Sequence, residues 1–525
     1  MRRAHRTAAW LVAAAVAAVG TVRGTESAGT PPSASIDHAA LGAALIDAAQ
    51  GQDTAHALAL IEQGADVNAR APDGTTALMW AVHYGAAPLI DRLLKARADV
   101  RLGNDYGATP MSEAATFADT AVIDKLLRAG ADAESANATG MTALMIIART
   151  SNVDAARLLI KHGADVNARE RWRGQTALHW AAAQSQPAMV RELLRHHADP
   201  NVRSLADTRQ RQVTAEPRVQ ARPSGGFTPL LYAARQGCLE CAKWLIEAHA
   251  DVNLIDPDGV TPLLMATENF HFDLAALLVS KGADVNRWDW WGRTPLYAAV
   301  DLNTLPYGGR PDHISLDNTS SLKLIEILLN AGANPNAQLK LFPPYRSLGA
   351  DRGADQQITI GVTPLWRAAK AGDAPAIRLL LAHGATADLP NKFGTTPLMA
   401  AAGLGSNDID TRGKYKTQQQ AVDSIELLAS AGANVNAADF RGQTALHGAA
   451  YWGWNDVVKS LIAHHARADA KDARGMTPVD SALGKAGGHG RGGQSVEVHE
   501  DTAQLLKQLM ASSSAPGEVT ATRGF

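Results

Sequence analysis

Cysteine is nearly missing from this chain: two residues in 525. That count excludes a disulfide-stapled small-domain framework and a zinc centre built on a Cys/His quartet. Aromatic residues make up only 5%, so an apolar content of 46% rests mainly on aliphatic side chains. An excess of one charge is absent too. The 50 Lys and Arg meet 52 Asp and Glu, a formal net charge of −2, and nothing global points to nucleic acid. The chain has 17 histidines, yet no His-x-x-x-His lies on one helix, and there is no Gly-x-Ser-x-Gly elbow. No catalytic group, metal site or cofactor is expected. Asp408-Ile409-Asp410 is too sparse to hold a metal. Gly488 to Ser495 has the glycines of a phosphate loop but glutamine where the lysine must be, and reads as a flexible inter-helix loop.

Long apolar runs are equally scarce. Ala8–Val19 is apolar over 12 residues, whereas a membrane-spanning helix needs roughly 20. Arg2, Arg3 and Arg6 precede it, and the small residues Gly20 and Gly24 follow. Residues 1–24 therefore read as a secretory signal peptide and 25–38 as a Ser/Pro/Gly linker. No cysteine near the cleavage positions offers a lipid attachment point. The expectation is an exported chain, periplasmic or secreted, with no transmembrane segment in its mature form. An Ala- and Arg-rich style fits a bacterial source.

What the sequence has in abundance is a repeat. Gly-x-Thr followed by a Pro-Leu or Ala-Leu type pair opens at Gly74, Gly107, Gly140, Gly174, Gly226, Gly259, Gly292, Gly361, Gly394, Gly442 and Gly475. By subtraction the intervals are 33, 33, 34, 52, 33, 33, 69, 33, 48 and 33. The three long ones are 33 plus 19, 36 and 15, so they mark insertions in a regular array. Each threonine suits an N-cap, and the proline that often follows is tolerated at the first helical position, where no amide donor is needed. Small residues such as Ala449 and Ala450 let a second helix approach. In the same copy Val457, Val458, Leu461 and Ile462 form the apolar stripe of that second helix. Gly-Ala-Asp then ends it, as at Gly64, Gly163 and Gly282, with the glycine in the left-handed conformation. A short polar stretch suited to a tight turn leads to the next Gly-x-Thr.

Thr176 to Ala182 and Gly163 to Asn167 resemble the two halves of an ankyrin repeat, and the likeness runs over residues 39–511. It implies an all-α solenoid of about twelve helix–turn–helix units with β-hairpin-like fingers. It also implies a concave protein-binding face made of finger tips and the exposed side of the first helices. Residues 39–72 serve as the N-terminal cap, 475–511 as the C-terminal cap, and 512–525 as a disordered tail. Arg97, His197, His249 and His465 replace the helix-ending glycine. They must adopt the left-handed state at some cost or let the helix end differently.

Insertions near 204–224 and 338–359 lengthen fingers; those near 303–319, 404–418 and 484–500 lengthen the turn between helices. The first holds Arg209, Arg211, Arg218 and Arg222 against Asp207 and Glu216. It reads as a solvated disordered loop, or else as an attractor of an acidic partner or anionic glycan. The second carries the apolar Phe342-Pro343-Pro344-Tyr345.

Candidate partner contacts follow the aromatics. Trp288, Trp290 and Trp291, flanked by Arg287 and Arg293, fall on a finger, in the composition of interface hot spots, or else packed against the neighbouring insertion. Trp172 between two arginines sits on another finger, and Tyr451, Trp452 and Trp454 occupy an inter-helix turn, as do His83 and Tyr84 in another copy. His179 and His447 are expected to bond neighbouring backbone. His196-His197 and His464-His465 lie at helix C-termini, where cationic character suits the dipole. Cys238 and Cys241 form a C-x-x-C that begins a second helix, a structural pair (free thiols or a passive disulfide) or a redox pair.

The functional expectation is a monomeric, non-catalytic scaffold that binds a protein partner. The alternatives are a thiol redox protein and an inhibitor or accessory subunit of another exported enzyme.

Overall fold

The computed structural model describes residues 38–212, 221–304, 315–341, 357–406, 416–485 and 497–513. The expected signal peptide, nearly all of the linker, Phe342 to Tyr345, Asp408 to Asp410, Gly488 to Ser495, Arg218 and the tail beyond Ser513 lie outside these residues.

Helices come in pairs, and we number each pair as a unit. Units one to four are His38–Gln50 with Thr54–Glu62, Ala77–His83 with Ala87–Lys95, Pro110–Thr116 with Thr120–Arg128, and Ala143–Ile147 with Val153–Lys161. Units five to eight are Ala177–Ala183 with Pro187–Arg195, Pro229–Gln236 with Leu239–Glu247, Pro262–Glu268 with Phe272–Ser280, and Pro295–Asn303 with Ser321–Asn330. Units nine to twelve are Pro364–Ala371 with Ala374–Ala382, Pro397–Ala401 with Gln418–Ser430, Ala445–Tyr451 with Asn455–Ala463, and Pro478–Ala482 with Glu500–Ser513.

The threonine of each Gly-x-Thr does the work its position suggests. Thr76, Thr228, Thr261, Thr294 and Thr363 stand in extended backbone just before their helices, each hydroxyl accepting the N–H three residues on. Each such cap stabilises its helix by about 1 kcal/mol. At Thr176 and Thr444 a histidine completes the cap. Its Nδ1 accepts the threonine N–H, while Nε2 donates to a carbonyl of the next unit, Phe227 O at 3.0 Å and Met476 O at 3.1 Å. Burial pushes the His179 pKa down to about 4, so the ring is neutral and bridges units five and six.

First helices pack on first helices along the array, and each packs on its own second helix. One apolar cluster runs from Leu45 to Leu506, built from residues such as Leu78, Ile123, Leu178, Leu245, Leu296 and Leu428. No unit buries its own faces; stacking does.

The finger asparagines tie one unit to the next. Asn167 donates to His197 O at 3.1 Å and accepts the Asp199 N–H at 2.9 Å. Asn201 does the same to His249 O and Asp251 N–H, and Asn436 to His465 O and Arg467 N–H. Arg101, Glu134, Asp388 and Asp469 stand where other fingers have the asparagine, and the first three keep half of the link. Arg101 donates to Gly130 O at 3.0 Å, Glu134 accepts the Asp165 N–H at 2.7 Å, and Asp388 accepts the Asn434 N–H at 2.9 Å.

Arg97, His197, His249 and His465 do adopt the left-handed state, with φ of 63°, 64°, 65° and 67°. The described parts of the 204–224 insertion, residues 204–212 and 221–224, depart from the solvated-loop expectation. Ala206–Gln212 and Ala221–Gly225 pair as antiparallel strands with an irregularity between Asp207 and Arg211. An anchor at its base accounts for the order. Arg222 pairs with Asp258 at 2.9 Å and donates to Pro257 O at 2.8 Å, both on the next finger. Elsewhere the fingers are turns, with isolated bridges at Arg70–Thr76 and Ala136–Thr142.

Candidate partner-binding face

Counted from the first residue of each first helix, positions four and seven form one row along the array, the seventh of unit four lying just past its helix end. In units two to six they are Trp80 and His83, Glu113 and Thr116, Ile146 and Arg149, Trp180 and Ala183, Tyr232 and Arg235. His83, Thr116, Arg149 and Arg235 are exposed, and Trp80, Glu113, Ile146 and Trp180 half-buried. The rings are organised. Trp80 stacks on Tyr84 at 5.8 Å, His83 meets Phe117 edge-on at 5.3 Å, and His83 Nδ1 lies 3.1 Å from Glu113. Arg149 lies 5.1 Å over Trp180, and Arg235 5.0 Å over Tyr232. Phe117 and Tyr84 are 53% and 39% exposed. The indole N–H groups of Trp80 and Trp180 find no acceptor.

The same positions in units eight to ten are closed. Arg367 is 1% exposed and paired with Asp301 at 2.7 Å; Lys370 and Ala400 are buried. Tyr297, Leu339, Ile358, Val362, Trp366 and Ala400 form a second apolar cluster over this stretch, with Leu339 and Ile358 supplied by the long finger insertion. Lys416 adds bonds to the carbonyls of Lys370 and Ala400 at 2.9 and 2.7 Å. In units nine and ten the row is therefore closed by the chain itself.

The predicted tryptophan finger divides. Trp288 and Trp290 are 47% and 46% exposed, and Arg287 is exposed. Both rings carry a cation from a neighbouring finger, Lys340 at 3.1 Å over Trp288 and Arg222 at 3.9 Å over Trp290. Trp291 and Arg293 instead point inward, at 3% and 7% exposure, and are not surface contacts. The reason is electrostatic. Arg293 reaches Glu268 on the preceding first helix and Asp289 at 2.6 Å, and buried carboxylates draw the guanidinium in. Burial raises the pKa of Asp289. The Trp291 carbonyl accepts the Lys340 and Leu341 N–H groups at 2.9 and 3.1 Å, so packing against the insertion is what the structure shows here.

Trp172 is 67% exposed, and Glu170 beneath it is buried, accepting the N–H groups of Trp172, Arg173 and Gln175. Tyr451 and Trp452 are half-buried. Trp452 stacks on Trp454 and donates to Gly403 O at 2.9 Å. A Cβ on Gly403 would lie 2.7 Å from the Trp452 ring, so only glycine admits this docking of unit eleven on unit ten.

Cys238 and Cys241 are joined as a disulfide rather than present as free thiols. Cys241 is fully buried and Cys238 is 9% exposed at the N-cap of its helix. Among the described residues no group of three or more His, Cys, Asp or Glu could hold a metal ion. No helix among them is long and apolar enough to cross a membrane.

A family model described as ankyrin repeats in three copies matches residues 45–137, 113–204, 230–339, 313–410 and 415–508. The chain belongs to the ankyrin-repeat family. Ankyrin repeats are protein interaction modules. Curated relatives include inversin of Gallus gallus, 35% identical over 103 residues, covering 20% of this chain and 8% of inversin. The B-cell lymphoma 3 protein homolog of Mus musculus is 31% identical over 120 residues, 23% of each chain. A transient receptor potential cation channel subfamily A member 1 homolog of Caenorhabditis elegans is 25% identical over 187 residues, 33% of this chain and 14% of the channel. The match spans under a tenth of the inversins, so the likeness is one of repeats, not of whole proteins.

The Trp80, Trp180 and Tyr232 row was within reach of the sequence. Each lies four residues after the capping threonine of its copy, a fixed offset that compares the copies position by position.

Proposed function

We propose that this chain is an exported, non-catalytic, monomeric binding protein that holds a protein partner on the first-helix face and fingers of units two to six. The observation that carries the reading is the contrast along one face. Positions four and seven carry exposed or half-buried side chains such as Trp80, His83, Arg149 and Trp180 in units two to five, whereas Arg367, Lys370 and Ala400 at the same positions are buried in units nine and ten. Exposed aromatics beside arginines are the residue types that dominate interface energies. The basic start and short apolar run at the N-terminus support export.

The test pairs two surface variants of the full chain. Phe117→Ser with Trp172→Ser removes exposed rings from the open half; Trp288→Ser with Trp290→Ser removes those on the later finger. Co-purification from the native compartment with mass spectrometry should lose the partner for the first pair and keep it for the second. The reverse pattern would move the site to the tryptophan finger. Whether the partner is an enzyme that the chain inhibits or assists is decided by its identity. A redox role has one observation in its favour, the bonded Cys238–Cys241 pair at a helix start. Disulfide-reductase activity indifferent to Cys238→Ser removes it.

A further inference from the structure

The first helices of units four to six, Ala143–Ile147, Ala177–Ala183 and Pro229–Gln236, contain no aspartate or glutamate. Their flanks are different. Unit three presents Glu113, which is engaged with His83. Units seven and eight present Glu268 and Asp301, engaged with Arg293 and Arg367. Along this face each of these carboxylates already has a side-chain partner, but Arg149 and Arg235 between them have no carboxylate. Arg149 and Arg235 are exposed and make no ion pair. On the adjoining finger Arg171 and Arg173 are exposed on either side of Trp172. The nearest acid there, Glu170, is 5% exposed and consumed by three backbone N–H groups. In a chain of net charge −2, this is a local island of unmatched positive charge.

We infer that the segment of the partner that lies on units four to six is acidic: an extended Asp/Glu-rich stretch of a protein. The inference rests on the protein-binding reading above and specifies its chemistry. Arg149 and Arg235 lie over the Trp180 and Tyr232 rings at 5.1 and 5.0 Å, and each guanidinium keeps N–H donors for a carboxylate. The same rings argue against nucleic acid. Tyr232 is buried and Trp180 half-buried, so neither offers an open ring face on which bases would stack.

The test is fluorescence anisotropy on the full chain with a labelled glutamate-rich decapeptide, the same peptide with glutamine for glutamate, and a single-stranded oligonucleotide of equal charge. The glutamate peptide should bind, weakening with salt. Arg149→Gln with Arg235→Gln should cost it at least about tenfold in Kd, while Arg378→Gln, on an exposed arginine of the second helix of unit nine, leaves Kd unchanged. A circular dichroism melt checks that the double variant folds; both arginines are exposed and unpaired, so it should. Equal binding of the glutamine peptide, an unaffected double variant, or tighter binding of the oligonucleotide would each overturn the inference. Co-purification separates the two readings. A native partner kept by Arg149→Gln/Arg235→Gln but lost by Phe117→Ser/Trp172→Ser overturns the acidic chemistry and leaves the binding face standing. A partner kept by both overturns the face itself, and the inference with it.

Discussion

Replacing Asp256 with asparagine should stabilise this protein at neutral pH. Asp256 sits in the finger between units six and seven, 8% exposed. Its Oδ1 accepts the N–H groups of Asp258 at 2.9 Å and Val260 at 2.8 Å. Burial pushes its pKa up to about 6 from 3.8, and the negative charges of Asp258 and Asp289 add to the effect. A folded-state value above the unfolded one means that the folded protein takes up the proton first. Stability from this group is therefore full below 3.8, declines as pH rises, and is lost above about 6. The displacement corresponds to a penalty of roughly 3 kcal/mol at neutral pH. Asparagine removes the charge and keeps the acceptor. Asn104, Asn137 and Asn391 occupy the same repeat position and accept the same pair of N–H groups. Urea unfolding followed by circular dichroism at pH 7.5 and at pH 4 should show Asp256→Asn gaining about 1–3 kcal/mol at the higher pH and almost nothing at the lower. A loss at pH 7.5, or an equal gain at both, would refute the reasoning.

Arg293→Met strands the buried Asp289 carboxylate and takes one partner from Glu268, and should cost about 3–5 kcal/mol; a thermal melt shifted by less than a degree would count against the Asp289–Arg293 pair. His197→Gly and His465→Gly release left-handed strain at φ of 64° and 67° and should each gain about 1 kcal/mol in the same assay. His179, with its pKa lowered to about 4 by burial, contributes stability that is complete above its ordinary value of 6.5 and is lost as pH falls towards 4. His179→Ala should be less stable at pH 7.5 and lose less on acidification; an unchanged pH profile would show that the ring does not carry that dependence.

The scaffold was legible because its devices are local. A threonine cap, a proline at the first turn and a left-handed residue at the helix end each act within a few residues, so repetition alone reveals them. The binding face was only half legible. Trp288 and Trp291 look alike in sequence, three residues apart, yet one ring faces solvent and the other is buried. What separates them is the pull of Glu268, on a different helix, upon Arg293, a pairing that appears only when units stack. The filling of units eight to ten was hidden for a related reason. Leu339 stands 42 residues from Tyr297 and 27 from Trp366, too distant in the chain for a local pattern to join them. The arginine hairpin is ordered by its anchor on Asp258, which belongs to the next unit.

The asparagine links make the array a spring of uneven stiffness. A linear stack yields where neighbouring units hold each other least. Arg101 and Glu134 supply single bonds on the two sides of unit three, as Asn68 does between units one and two and Asp388 between units nine and ten. Tension or bending would concentrate at those joints, and the softest stretch would be the entrance to the open half of the face. A bulky partner could then be seated by flexing unit three while units seven to nine, pinned by Arg293 and Arg367, stay rigid as the fixed jaw.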